Sequence, residues 1–145
     1  MSHVVCPHCD TVNRIPAERS GDRPKCGKCG QLLFAGQPRE VGRDAFRRHV
    51  SRNDIPVVVD FWAPWCGPCH AMAPEFERAA GELGAEARFL KLNTDAEPEV
   101  AGELGIRSIP TMILFRGGRE IARRSGAMRA ADIVGWVREQ ARGAA

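Results

Sequence analysis

Val57-Val58-Val59-Asp60-Phe61-Trp62-Ala63-Pro64-Trp65-Cys66-Gly67-Pro68-Cys69-His70 is the stretch on which the reading of this 145-residue chain turns. From Val57 to Trp62 it is β-branched or aromatic except at Asp60, which reads as a strand buried on both faces. A helical pattern then runs to about Gly84, with Pro74 inside it as an expected kink or break. A thiol placed where a strand feeds a helix N-terminus meets unpaired backbone N–H groups and the positive end of the helix dipole, which favour its thiolate. Cys66 is that thiol. Cys69, one turn along and expected to be more shielded, is placed to attack a mixed disulfide formed at Cys66. Asp60 is the anomaly in the strand, because a carboxylate among apolar neighbours is costly unless it is paired or holds its proton. The competing reading is a solvated edge position.

Outward from this stretch the pattern continues as alternating elements. Phe46 and Val50, four apart, mark a short amphipathic helix over 44–50. Arg88 to Asn93 reads as a second strand, and Pro98 to Leu104 as a helix stopped by Gly105. Thr111–Phe115 and Arg119–Arg123, joined through Gly117-Gly118, predict a hairpin. A last helix over 130–142 turns Ile133, Val134 and Val137 inward. This order predicts an α/β fold, a mixed central sheet flanked by helices. Trp62 reads as core.

All six cysteines lie in three Cys-x-x-Cys pairs, 6/9, 26/29 and 66/69. In a reducing compartment such pairs are metal knuckles or redox dithiols. Cys6, Cys9, Cys26 and Cys29 are spaced Cys-x2-Cys-x16-Cys-x2-Cys, within the window for one tetrahedral four-thiolate zinc ion. Gly27 and Gly30 supply permissive backbone for the second knuckle. The first 35 residues hold only Val4, Val5, Val12, Ile15, Leu32, Leu33 and Phe34 as aliphatic or aromatic core candidates, too few to fold without metal. Iron in the same ligands, nucleic-acid binding through Arg23, Lys25 and Lys28, and an oxidising dithiol at Cys6-Pro7-His8-Cys9 are the competing readings. The three cations are accounted for by the charge of a zinc tetrathiolate. The predicted division is a zinc ribbon at 1–35, a turn-rich linker at 36–40 and an α/β domain at 41–145.

Trp65-Cys66-Gly67-Pro68-Cys69 behind a Val-rich strand, Ile109-Pro110-Thr111 about 40 residues on, and Gly117-Gly118 together resemble the thioredoxin family. With the cysteine ribbon in front, nearly the whole chain is similar to its zinc-containing bacterial thioredoxin 2 type. The resemblance implies a thioredoxin-like fold and a protein-disulfide reductase with Cys66 as nucleophile and Cys69 as resolving thiol. It makes Asp60 the buried acid that takes the Cys69 proton, with Lys91 as its partner. It implies a cis peptide before Pro110, where spacing alone favours trans, with Ile109 presenting backbone groups to an extended substrate. Trp65, Gly67, Pro68, Gly126 and Ala127 complete the implied docking surface. It also implies electrons from NADPH through a flavin-dependent thioredoxin reductase, disulfide-containing substrate proteins as partners, and no bound cofactor beyond one structural zinc.

Composition sets the outer limits. With 43% hydrophobic and 27% charged residues, disorder is excluded and a soluble domain is expected. Residues 1–40 hold six basic against four acidic residues and 41–145 fifteen against fourteen, so no nucleic-acid footprint is predicted. No apolar run approaches a membrane span, and the opening Met1-Ser2-His3-Val4-Val5-Cys6 has no export-signal pattern. A cytoplasmic monomer without membrane or nucleic-acid partners is therefore expected. His70 stands where Lys or Arg is common after such a motif. It predicts a more oxidising dithiol, and its Cys-x-x-Cys-His spacing, shared with haem attachment, is the weaker reading. Two further readings compete with the reductase: a zinc-thiolate redox sensor or holdase-type module, and an oxidase or isomerase.

Overall fold

The computed structural model describes residues 1–143. The helix expected at the C-terminus is present as α4 (Ala130–Gly143), and the final two residues of the predicted 41–145 domain lie outside the described residues. Five strands form one mixed sheet in the order β3-β5-β4-β6-β7. They are β3 (Arg39–Glu40), β4 (Val57–Trp62), β5 (Arg88–Asn93), β6 (Thr111–Arg116) and β7 (Arg119–Ser125). β4 lies in the centre, parallel to β5 and antiparallel to β6, so both of its faces are covered, as its unbroken apolar run requires.

Alternation along the strands sorts the core into two layers. Val57, Val59, Phe61, Leu90, Leu92, Ile113 and Phe115 face α1 (Arg43–Arg52) and α3 (Pro98–Glu103). Val58, Phe89, Met112 and Leu114 face α2 (Gly67–Leu83) and α4. Asp60 shares the face of Val58, under the helix that carries Cys69. Pro74 does not break α2, which runs through it for 17 residues. A proline here removes one helical hydrogen bond, but Met72, Phe76, Ala79, Ala80 and Leu83 bury one continuous stripe that holds the helix together.

The first 35 residues build a separate small core. β1 (Ser2–Val5) pairs antiparallel with β2 (Val12–Ile15), and Val4, Cys6, Cys26 and Leu33 pack together beside them. The two knuckles repeat one geometry. The Cys6 and Cys26 N–H groups donate to the carbonyls of Thr11 and Gln31, and the Asp10 and Gly30 N–H groups donate back to Cys6 and Cys26. Asp10 (φ 65°) and Gly30 (φ 78°) occupy matching left-handed positions. Gly30 therefore has the predicted conformational reason, whereas Gly27 has no positive φ. Aspartate is one of the few side chains that tolerates the left-handed region, and its carboxylate is used elsewhere, as described below.

Arg39 and Glu40, expected at the end of a linker, form β3 instead. The β5 edge offers free backbone groups, and Val41 N–H continues the contact by donating to the Lys91 carbonyl at 2.8 Å. The ribbon is also docked rather than loosely tethered. Arg88, only 4% exposed, donates to the carbonyls of Val5 (3.0 Å) and Leu33 (2.7 Å) and lies over the Phe34 ring. Asn53 accepts from Val5 N–H and donates to the His49 carbonyl. Asp10 pairs with Arg39 and with the fully buried His49.

Candidate active site and metal centre

The dithiol sits where the sequence places it. Cys66 caps α2, its sulfur accepting the Cys69 backbone N–H at 3.2 Å, and Cys66 and Cys69 are joined as a disulfide. As whole residues Cys66 and Cys69 are equally buried, each 3% exposed. Their difference lies in position: Cys66 is the cap at the dipole's positive end, and Cys69 is inside the first turn. Gly67 leaves open space where a side chain would stand.

The opposite wall is the loop before β6. The Ile109–Pro110 peptide is cis, and the Ile109 carbonyl lies 3.8 Å from the Cys66 sulfur. Gly126 (φ 94°) donates its N–H to the Pro110 carbonyl at 2.9 Å, joining the second loop to the first. Trp65 is 70% exposed, anchored by its indole N–H on Asp95, and with Ile106, Ser108 and Ile109 it lines a groove of about 400 Å³. The Ile109 carbonyl at Cys66, the Gly126–Pro110 hydrogen bond and the groove shared by Trp65 and Ile109 bring these five residues to one side of the dithiol.

Asp60 is not a solvated edge residue. It is fully buried in the central strand, and neither carboxylate oxygen has a hydrogen-bond partner among the described residues. Burial drives its pKa up to about 7, opposed by the Lys91 charge and reinforced by Glu40. Lys91 is its in-register neighbour on β5, so both side chains leave the same face. The Lys91 ammonium lies 4.7 Å from the Trp62 ring centroid, and the Trp62 indole N–H donates to both Glu40 oxygens at 3.0 and 3.1 Å. Trp62 is consequently half-buried and polar at its tip, not simply core. Burial also raises the Glu40 pKa.

His70 Nε2 lies 2.6 Å from the Pro64 carbonyl, which can only accept, so that nitrogen carries hydrogen. The ring meets Trp62 edge-on at 6.3 Å. The imidazole therefore straps α2 to the turn that precedes Cys66.

At the other end of the chain the sulfurs of Cys6, Cys9, Cys26 and Cys29 all lie within 4.8 Å of one another, with 3.6 Å between Cys6 and Cys29 and between Cys9 and Cys26. A tetrahedral zinc ion with bonds of about 2.3 Å needs sulfurs about 3.8 Å apart, so the cluster fits one ion. The backbone N–H groups of His8 and Lys28 point at the Cys6 and Cys26 sulfurs, as a thiolate site requires. Burial pushes the Cys6 thiol up to about 12, while backbone hydrogen bonds bring Cys26 down to about 6.

Comparison with known families agrees with this arrangement. The profile described as Thioredoxin matches residues 37–139. The chain belongs to the thioredoxin family. Residues 5–31 match a second profile, described as Thioredoxin 2, N-terminal. The chain is 39% identical over 137 residues to thioredoxin C-3 of Corynebacterium nephridii, covering 94% of each chain. It is 41% identical over 126 residues to the chloroplastic M-type thioredoxin of Chlamydomonas reinhardtii, covering 85% of this chain and 90% of that one. Among solved structures, a mutant thioredoxin from Halobacterium salinarum matches with a TM-score of 0.68 at 28% identity, covering 74% of this chain and 94% of that one. Thioredoxin-family membership and the closed Cys66–Cys69 pair make this protein a thiol-disulfide oxidoreductase.

Sequence reasoning missed four residues of the architecture around these sites. Glu40 falls in the expected linker and nonetheless holds the Trp62 indole. Asp10, His49 and Arg88 build the seam between ribbon and sheet, and for His49 and Arg88 the sequence position hints at burial while the partners come only from the folded ribbon. Arg88 opens the apolar run Phe89-Leu90, and His49 falls on the buried stripe of α1 beside Phe46 and Val50. Burial brings the His49 pKa down to about 4.

Proposed function

We propose that this chain reduces protein disulfides, with Cys66 as nucleophile and Cys69 as resolving thiol. The observation that carries this is the Cys66 sulfur held at the α2 N-terminus by the Cys69 N–H, facing the Ile109 carbonyl across a groove open beside Trp65. The Cys66 thiolate attacks one sulfur of a substrate disulfide; a mixed disulfide forms and the other substrate sulfur leaves as a thiolate that takes up a proton. Cys69 gives its proton to ionised Asp60 and attacks the Cys66 sulfur, releasing reduced substrate and closing the pair seen here. Two electrons pass to the substrate. Lys91 tunes Asp60 by its positive charge. Gly67, Pro68, Ile109, Pro110 and Gly126 give an extended substrate a close approach with backbone partners, and Trp65 gives it an apolar contact.

The same reading assigns one structural zinc to Cys6, Cys9, Cys26 and Cys29, supplying folding free energy to residues 1–35. It places the redox domain at 41–145, after a junction whose last two residues belong to the sheet. Electrons come from NADPH through a thioredoxin reductase, the partners are disulfide-bearing proteins, and the setting is the cytoplasm. No helix among the described residues is long and apolar enough to cross a membrane. NADPH-coupled reduction of a protein disulfide in the presence of a thioredoxin reductase tests the proposal: turnover that Cys66→Ser abolishes supports it, and turnover retained by Cys66→Ser contradicts it.

A further inference from the structure

The charge of this chain is unevenly distributed in space. Residues 105–129, which supply both loops facing the dithiol and the hairpin behind them, contain six arginines and one glutamate, while the other 120 residues sum to −2. Two of the six are engaged internally: Arg123 pairs with Glu120 and donates to the Leu104 carbonyl, and Arg116 donates to the Ala141 carbonyl. Arg107, Arg124 and Arg129 are exposed and have no ion-pair partner within 4.0 Å among the described residues.

Their positions bracket the site. Arg107 lines the groove beside Trp65 and Ile109, on one flank of the Cys66 sulfur. Arg124 and Arg129 line a second groove with Ala127 and Met128, in the loop that Gly126 fastens to Pro110. The acidic side chains nearby are Asp95, occupied by the Trp65 indole, Asp132 and Glu139 in the second groove, and Glu75, which feels the Arg129 charge but is occupied by Arg78 and the Ala130 N–H. We propose that this chain selects disulfides set among acidic side chains, its arginines at 107, 124 and 129 forming a basic collar around the docking surface. The inference rests on the reductase reading and adds the substrate class to it. Guanidinium groups suit this task, because they pair with carboxylates through two parallel hydrogen bonds. Complementary charge around a site acts chiefly on the rate of encounter and weakens with salt.

The test uses pre-reduced full-length protein, with no reductase present, and three peptides of equal length. Each carries one internal disulfide flanked by Asp/Glu, by Ser/Gln or by Lys. At low ionic strength the acidic peptide is expected to react about tenfold faster than the neutral one and the lysine peptide more slowly. The three rates should converge at about 0.5 M salt, where the Debye length is only about 4 Å. A variant combining Arg107→Glu, Arg124→Glu and Arg129→Glu should reverse the order. Arg107→Gln and Arg129→Gln, made singly, should each narrow the acidic preference and keep the test decisive if the triple variant does not fold. Equal rates for all three peptides in the wild type, or an unchanged order in the variants, overturns the collar while leaving the reductase intact. Failure to reduce even the neutral peptide defeats the reductase reading and the collar with it.

Discussion

Replacing Asp60 with asparagine should stabilise the oxidised protein by an amount set by pH. The carboxyl is fully buried, and burial raises its pKa from 3.8 to about 7. In the unfolded chain it ionises near the ordinary value, so between these limits the folded state binds the extra proton. Folding stability contributed by the protonated acid is then fully present below about pH 4 and is lost as pH rises toward 7. A shift of about three units corresponds to roughly 4 kcal/mol, accumulating at about 1.4 kcal/mol per pH unit. Asparagine keeps the volume and cannot ionise, so subtracting the two stability curves isolates this contribution. Urea unfolding of wild type and Asp60→Asn from pH 4 to 8.5 should show a difference that grows with pH in favour of asparagine and levels off above about 7.5. A difference independent of pH would refute the reasoning, because it would mean that the carboxyl ionises alike in both states. The same ionisation should appear in the reaction: reduction by Asp60→Asn should be slower wherever Cys69 must lose its proton.

Three other outcomes follow from the seam and the ribbon. Arg88→Ala should lower stability by about 3 kcal/mol in chemical denaturation, because the Val5 and Leu33 carbonyls lose their buried donor; a change under 1 kcal/mol would show that the ribbon docks without it. His49 accepts from Asn53 at one ring nitrogen and faces Asp10 with the other, so its imidazole resonances should stay those of the neutral ring until the pH approaches 4. Elemental analysis should find one zinc per chain, and its removal should make Cys6, Cys9, Cys26 and Cys29 open to alkylation while the Cys66–Cys69 disulfide stays closed.

Much of this architecture is legible in sequence because local rules and tertiary context agree there. The apolar run of β4 needs two covering layers and has them, and the helix start after Cys66 has no competing signal. The four-cysteine cluster is legible in the spacing of its two Cys-x-x-Cys pairs. What escapes is set by contacts distant in sequence. β3 is two residues long and exists because the edge of β5 receives it, so no periodicity announces it. Pro74 signals a break that the apolar stripe of α2 overrides. Trp62 cannot be told from core until Glu40 and Lys91 are seen at its edge and face. Arg88 and His49 look like surface residues until the ribbon folds over them and supplies carbonyls and a carboxylate.

The central claim, that Cys66 and Cys69 carry the electrons while the four ribbon cysteines hold an ion, is tested most directly by a single turnover. Pre-reduced, zinc-loaded protein is mixed with an excess of protein disulfide, and electrons delivered and zinc released are counted together. The account predicts two electrons per chain, none from Cys66→Ser, and all zinc retained. Delivery of more than two electrons with release of zinc, or delivery by Cys66→Ser, would contradict it and make the ribbon thiolates the reacting groups.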